Sequence, residues 1–238
     1  MDDFEEMMLE RTATAARPLQ GLTVLVVEDS RFASEAMRLL CLRSGARIRR
    51  ADCLSSARKH LRVYRPSVVV IDLGLPDGSG ADLINELAHA APRIDVILGI
   101  SGDAAGEQEA LSAGADGFFT KPIECLGAFQ QTILAHLPDS AQPPGPRMIT
   151  DDTIIPDPIT FREDIAHVSE VLQTRPNAKM LAYLAQFTSG IAKSAHDEPL
   201  EAAALALAVD RSNGQSVKSD VRRLDGILRE RLAEPKAI

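Results

Sequence analysis

The sequence predicts a doubly wound α/β domain on a five-stranded parallel sheet, followed by a small all-α domain. Three observations carry this. Between Gly21 and about Leu137, short apolar runs alternate with amphipathic stretches through short connections, which is the pattern of βαβ units. The runs Leu22–Val27, Val68–Ile71 and Asp95–Ile100 are continuously or nearly continuously apolar, as strands buried on both faces must be. After Pro138 the composition changes: prolines cluster, and the remainder of the chain reads as helices only.

Residues 1–19 read as a flexible lead, with one short helix through Phe4–Leu9. The α/β domain then occupies 20–138. Its first strand, Leu22–Val27, ends at Glu28–Asp29. A helix over Ser30–Ser44 comes next, with Phe32, Ala36, Met37, Leu40 and Cys41 on one face and Gly45 as its C-cap. Ala46–Ala51 carries Arg47, Arg49 and Arg50, charges on both parities that suit an edge strand. A helix near Leu54–Val63 leads through Pro66 into Val68–Ile71 and Asp72. Gly74, Pro76, Gly78 and Gly80 make Leu73–Gly80 a turn-rich connection. A helix over Ala81–Ala90, a strand over Asp95–Ile100, a polar helix near 104–113, a strand at Gly117–Thr120 and a helix over Cys125–Leu137 complete the unit.

With 238 residues, one large or two modest domains are expected. The net charge of −8 argues against a generally basic nucleic-acid or membrane-binding surface. Trp is absent and aromatics make up 4%, so aliphatic residues must build the core. No apolar run approaches the roughly 18–20 residues that span a bilayer, and Met1–Glu10 is acidic without a signal-peptide core. A soluble cytoplasmic chain is expected. Cys41, Cys53 and Cys125 are widely spaced and read as reduced thiols, and the histidines lack metal-ligand spacing.

In an open parallel sheet, ligands bind in the crevice outside the carboxyl ends of the strands. Glu28 and Asp29 close the first strand and Asp72 the third, and in the flavodoxin-like order 2-1-3-4-5 those strands are neighbours. The three acids therefore meet at one edge. Like charges so close raise each other's pKa unless a cation neutralises them, and hard oxygen ligands favour Mg²⁺. A carboxylate held there can attack phosphorus to give an acyl phosphate. Ser101 comes just after the fourth strand, beside Gly102. Lys121 comes after the fifth and precedes Pro122, placing a hydroxyl and an ammonium where phosphoryl oxygens would lie. Taken singly, the same residues have blander uses. Asp29–Ser30 suits a helix N-cap, LPDGSG an ordinary turn, and Phe118 the core.

The combination VLVVEDS at 24–30, VVVIDLGLPDGSG at 68–80, GIS at 99–101 and GADGFFTKP at 114–122 resembles a response-regulator receiver domain of the two-component systems. The resemblance covers residues 21–137, about half the chain. It implies that Asp72 is the phosphoacceptor. Asp29, Asp72 and the carbonyl of Gly74 would be direct Mg²⁺ ligands, with Glu28 assisting. Ser101 and Lys121 would contact the phosphoryl group. Phe118 stands at the aromatic switch position, where the family often has Tyr, so it can signal only through packing. A sensor histidine kinase or a histidine phosphotransfer protein would be the phosphodonor. Catalysis would be limited to self-phosphorylation and slow autohydrolysis, so the chain is not expected to be an enzyme in the ordinary sense.

Residues 139–157 read as a proline-rich linker and 158–238 as an α-helical output or interaction domain. Its helices are expected at about Ile159–Leu172, Ala178–Ile191, Leu200–Val209 and Ser216–Leu232. Val217, Val221, Leu224, Leu228 and Leu232 form one apolar stripe that needs a partner surface. SVKSDVRRL at 216–224 resembles the recognition helix of LuxR-type helix-turn-helix regulators, with Lys218, Arg222, Arg223 and Arg229 as phosphate contacts. Against this, 139–238 holds 12 Lys and Arg against 15 Asp and Glu, and the preceding segment lacks the rest of that motif. His167 and His196 lack the small-residue neighbourhood of a phosphotransfer histidine. Protein interaction or self-association, including a homodimer, is the favoured output, and DNA binding is the alternative.

Overall fold

The computed structural model describes residues 13–103, 105–143 and 152–234. The lead helix expected at Phe4–Leu9 lies outside them. Contacts divide the chain into two units, one running through Asp29 and then Ala36–Ile155, the other comprising Ser30–Glu35 and everything from Pro156.

The first unit is built on a sheet of β1 (Thr23–Val27), β2 (Arg47–Ala51), β3 (Val68–Asp72), β6 (Val96–Ser101) and β7 (Gly117–Thr120). Their spatial order is β2-β1-β3-β6-β7, all parallel. This is the flavodoxin-like order, with β4 (Gly74–Leu75) and β5 (Gly78–Ser79) forming a separate antiparallel hairpin. The helices are α1 (Arg31–Ser44), α2 (Leu54–Val63), α3 (Gly80–Ala88), α4 (Gly106–Ser112) and α5 (Leu126–His136).

Alternate residues of the inner strands feed two cores. Val24, Val26, Val68, Val70, Val96 and Leu98 pack with Met37 and Leu40 of α1 and Phe129 and Ile133 of α5. Leu25, Val27, Val69, Ile71 and Ile97 pack with Leu54 of α2, Leu83 and Ile84 of α3 and Ala110 of α4. Each such aliphatic side chain contributes about 1.5–3 kcal/mol on burial, so the strands that carry the site are firmly anchored in the core. The arginine-bearing β2 is an edge strand and, among the described residues, pairs with β1 alone. Leu19 and Ile154 are both buried in the α1/α5 core, and Thr153 bridges to Cys125, so residues flanking the α/β pattern also pack on this unit.

The second unit contains α6 (Pro158–Gln173), α7 (Ala178–Ser194), α8 (Glu198–Ser212) and α9 (Lys218–Ala233). Each packs on the next in sequence and α9 returns to α6, closing a four-helix ring. Leu224 and Leu228 are fully buried in this unit's core, with Val217, Val221 and Leu232 packed beside them. The apolar stripe is thus covered by its own unit.

Ser30 Oγ caps the first turn of α1 by accepting from Ala33 N, 3.0 Å. Within the second unit, to which Ser30–Glu35 belongs, Asp164 of α6 accepts from Arg31 N and Phe32 N, both 3.0 Å, and from Ser30 Oγ, 2.8 Å. Asp164 is buried, which pushes its pKa up against the opposing pull of those backbone N–H groups. This cap comes from 134 residues away in sequence.

Asp197 does two jobs: its Oδ1 caps α8 at Leu200 N, and both its oxygens bind the guanidinium of Arg231 on α9. The Arg231 bonds hold its pKa below the usual value, outweighing burial. Asp197→Ala should cost about 2 kcal/mol in thermal unfolding at pH 7. Because the folded pKa is depressed, this contribution is present above the ordinary carboxylate range. It fades as pH falls through the folded value, so the gap between wild type and variant should narrow as the pH drops below the ordinary carboxylate range.

Candidate phosphoacceptor site

The carboxyl ends of β1 and β3 bring Glu28, Asp29 and Asp72 together, each offering an oxygen within 4.8 Å of the others. Glu28 and Asp72 are buried, at 4% and 7% exposure, and Asp29 is half-buried. Lys121, 6% exposed at the end of β7, reaches into the same crevice. Its Nζ lies 2.7 Å from Glu28 Oε2 and donates to Asp72 Oδ2 at 3.1 Å. The backbone holds this register: Lys121 N donates to the carbonyl of Ser101, 2.9 Å.

Three carboxyl groups share one ammonium, so the cluster carries excess negative charge even with one of them protonated. Burial is the main force raising Glu28 to about 8; Asp72 and Asp29 add to it, while Lys121 opposes it. Burial pulls the Lys121 pKa down, but Asp72 and Glu28 outweigh it and keep the ammonium charged. An all-oxygen set with surplus charge fits a hard divalent cation. It does not fit a soft metal, which would want thiolate or imidazole.

Asp72 depends on close backbone packing. A Cβ at Gly80, the first residue of α3, would lie 2.0 Å from the Asp72 carbonyl oxygen. Gly80→Ala must therefore push α3 or the strand end aside, and should cost about 2–3 kcal/mol in chemical unfolding.

Ser101, buried at the end of β6, accepts from Asp103 N at 3.1 Å. Phe118 lies beside it in a slot made by two glycines. A Cβ at Gly99 would stand 3.1 Å from Phe118 Cδ2, and one at Gly106 would stand 3.2 Å from Phe118 Cζ and 2.8 Å from Ser101 Cβ. Sequence reasoning reaches Ser101 and Phe118 but misses the close approaches at Gly80, Gly99 and Gly106. A glycine inside an apolar strand, as Gly99 is, is the available signal of a close neighbour.

Gly74 sits in β4, paired with Ser79. Lys218, Arg222 and Arg223 are exposed on α9, which also carries Asp220, Asp225 and Glu230, and Arg229 pairs with Asp225 at 2.8 Å. The basic residues thus do not make a purely cationic face. Cys41 is buried, which raises its thiol to about 12. Among the described residues, no helix is long and apolar enough to cross a membrane.

Residues 24–128 match the family described as response regulator receiver domain. The probable transcriptional regulatory protein TcrX of Mycobacterium tuberculosis is 39% identical over 105 residues, 44% of this chain and 45% of that one. The KDP operon transcriptional regulatory protein KdpE of Escherichia coli is 30% identical over 114 residues, 48% of this chain and 50% of that one. The chain spans about half the length of the curated relatives it matches. Among solved structures, chemotaxis response regulator CheY4 of Vibrio cholerae is similar at 20% identity and TM-score 0.44, over 49% of this chain and 98% of that one. A Burkholderia pseudomallei response regulator with a phosphorylated aspartic acid is similar at 31% identity and TM-score 0.41, over 50% and 68%.

Proposed function

Residues 24–128 being a response regulator receiver domain, we propose that the chain is a phosphorylation-controlled switch of a two-component phosphorelay, with Asp72 as phosphoacceptor. The observation that carries this is the cluster of Glu28, Asp29 and Asp72 around Lys121. Asp29, Asp72 and the Gly74 carbonyl would hold Mg²⁺, with Glu28 in support; the ion would supply positive charge against the phosphoryl oxygens. Asp72 provides the attacking carboxylate oxygen. A new P–O bond forms there as the bond from phosphorus to the donor breaks, and the leaving group departs with its electron pair. When the donor is a phosphohistidine, the imidazole leaves. Lys121, charged and already at hydrogen-bond distance from Asp72, offsets charge on the transferred group.

The new group brings about two negative charges into the crevice. Ser101 Oγ would turn from Asp103 N toward it, and Phe118, packed against the same glycine as Ser101, would shift with it. The group biases two existing packings rather than creating a new one. Output would pass through the four-helix unit by protein interaction. A sensor histidine kinase or histidine phosphotransfer protein would be the donor.

The direct test is incubation of the full chain with Mg²⁺ and acetyl phosphate. One acid-stable, base-labile phosphate per chain supports the reading, and no label overturns it. A second reading, a DNA-binding regulator, is favoured by exposed Lys218, Arg222 and Arg223 on α9 and by the regulatory names of its relatives. A salt-dependent shift of promoter fragments, lost on combined Arg222→Ala and Arg223→Ala, would support it; no shift would favour the protein-interaction output.

A further inference from the structure

The hairpin that carries Gly74 is tied down at its tip by a residue with no place in the phosphoryl chemistry itself. β4 and β5 pair Gly74 with Ser79 and Leu75 with Gly78, leaving Pro76 and Asp77 at the turn. The Asp77 carboxylate reaches across to α2, where Oδ1 accepts from Leu54 N at 2.8 Å and Oδ2 from Ser55 N at 2.9 Å. These are the first N–H groups of α2, which have no intrahelical partner. The residue at that helix's own cap position, Cys53, makes no capping hydrogen bond with its side chain. Asp77 therefore caps a helix that begins 23 residues earlier.

The hairpin is fixed at two further points. Gly78 has φ +158°, and a Cβ there would stand 2.9 Å from Leu54 Cδ1, so the turn is pressed against the first side chain of α2. At the base, Gly80 N donates to the Leu73 carbonyl, 3.0 Å. Between these anchors lies Gly74, whose φ and ψ no side chain restrains. Two charge-assisted bonds at the tip and one backbone bond at the base remove the freedom that glycine alone would leave.

We propose that Asp77 is a positioning residue for the divalent cation: its clamp on α2 fixes the hairpin that carries Gly74, two residues beyond Asp72, whose carbonyl the proposed function assigns to the ion. This rests on the reading of the crevice as a Mg²⁺-dependent phosphoacceptor site. A group that orients a ligand without touching the ion typically changes affinity by about tenfold or more when removed. A helix cap with no such role would lower stability by about 1 kcal/mol and leave cation binding alone.

Mg²⁺ titration of the full chain by calorimetry separates the two. Asp77→Ala is expected to weaken Mg²⁺ binding about tenfold while still binding one ion. It should also raise the Mg²⁺ concentration for half-maximal phosphorylation while leaving the plateau unchanged. The double variant Cys53→Ser with Asp77→Ala gives α2 a cap of its own without restoring the tether. It should recover the melting temperature yet keep the weakened Mg²⁺ affinity. Wild-type Mg²⁺ affinity in Asp77→Ala, or recovery of affinity together with stability in the double variant, would overturn the proposal. A wild-type chain that binds no Mg²⁺ would instead overturn the reading on which it rests.

Discussion

Asp72→Asn is expected to accept no phosphoryl group while remaining folded. The amide matches the carboxylate in size and keeps an oxygen to accept from Lys121, so β3 and its neighbours need not move. The amide oxygen is a far weaker nucleophile than a carboxylate, and no acyl phosphate can form through it. Glu28 is a poor substitute acceptor, being 4% exposed and held against Lys121 at 2.7 Å. The substitution also removes one negative charge that raises Glu28, so the Glu28 pKa should fall from about 8 in the cation-free protein. Acid-quenched labelling with a phosphodonor reads the first effect and carboxyl chemical shifts read the second. Equal labelling of wild type and variant would contradict the assignment.

Lys121→Met should have the next largest effect, this time on stability as well as on the proposed transfer. Methionine preserves much of the lysine stem but leaves three acids without a cation. Removing one partner of a buried ion pair typically costs about 3–5 kcal/mol, because the other charge stays buried and uncompensated. A proton can partly stand in for the lysine. Glu28 in wild type has a folded pKa raised to about 8, so the cation-free native state holds that proton below pH 8. Without Lys121, which lowers it, the value rises further. A raised folded pKa means that stability falls as pH climbs toward the folded value. In wild type that fall ends near pH 8, whereas in the variant it continues. The deficit of Lys121→Met should therefore be larger at pH 9 than at pH 7, by about 1.4 kcal/mol for the one proton involved, and shrink on addition of Mg²⁺. Urea unfolding at the two pH values measures this. A deficit independent of both pH and Mg²⁺ would show that Lys121 acts only by packing.

Much of the α/β unit is legible because buried parallel strands leave an unambiguous mark. Val68–Ile71 has no polar residue to alternate, so it can only be a strand covered on both sides. The charged edge Arg47–Arg50 is readable for the opposite reason. Strand ends in such a sheet converge, so placing Glu28, Asp29, Asp72 and Lys121 in one crevice needs only the strand order. The rest depends on contacts that no local pattern carries. Two-residue strands such as Gly74–Leu75 have no periodicity. The caps supplied by Asp77 and Asp164 come from residues far along the chain. Gly99 and Gly106 matter because of where Phe118 places its ring, which depends on tertiary packing. The stripe Val217–Leu232 announces that it will be covered, yet nothing in it says that α6 and α8 will do so.

If the crevice is a phosphoacceptor site, it places the phosphoryl group on one carboxylate and no other. Proteolysis and tandem mass spectrometry of the wild-type chain, after incubation with Mg²⁺ and acetyl phosphate and trapping of the acyl phosphate by borohydride, locate it directly. Modification at Asp72 alone is the expected result. An unmodified chain, or phosphate found instead on a histidine such as His167 or His196, would contradict it.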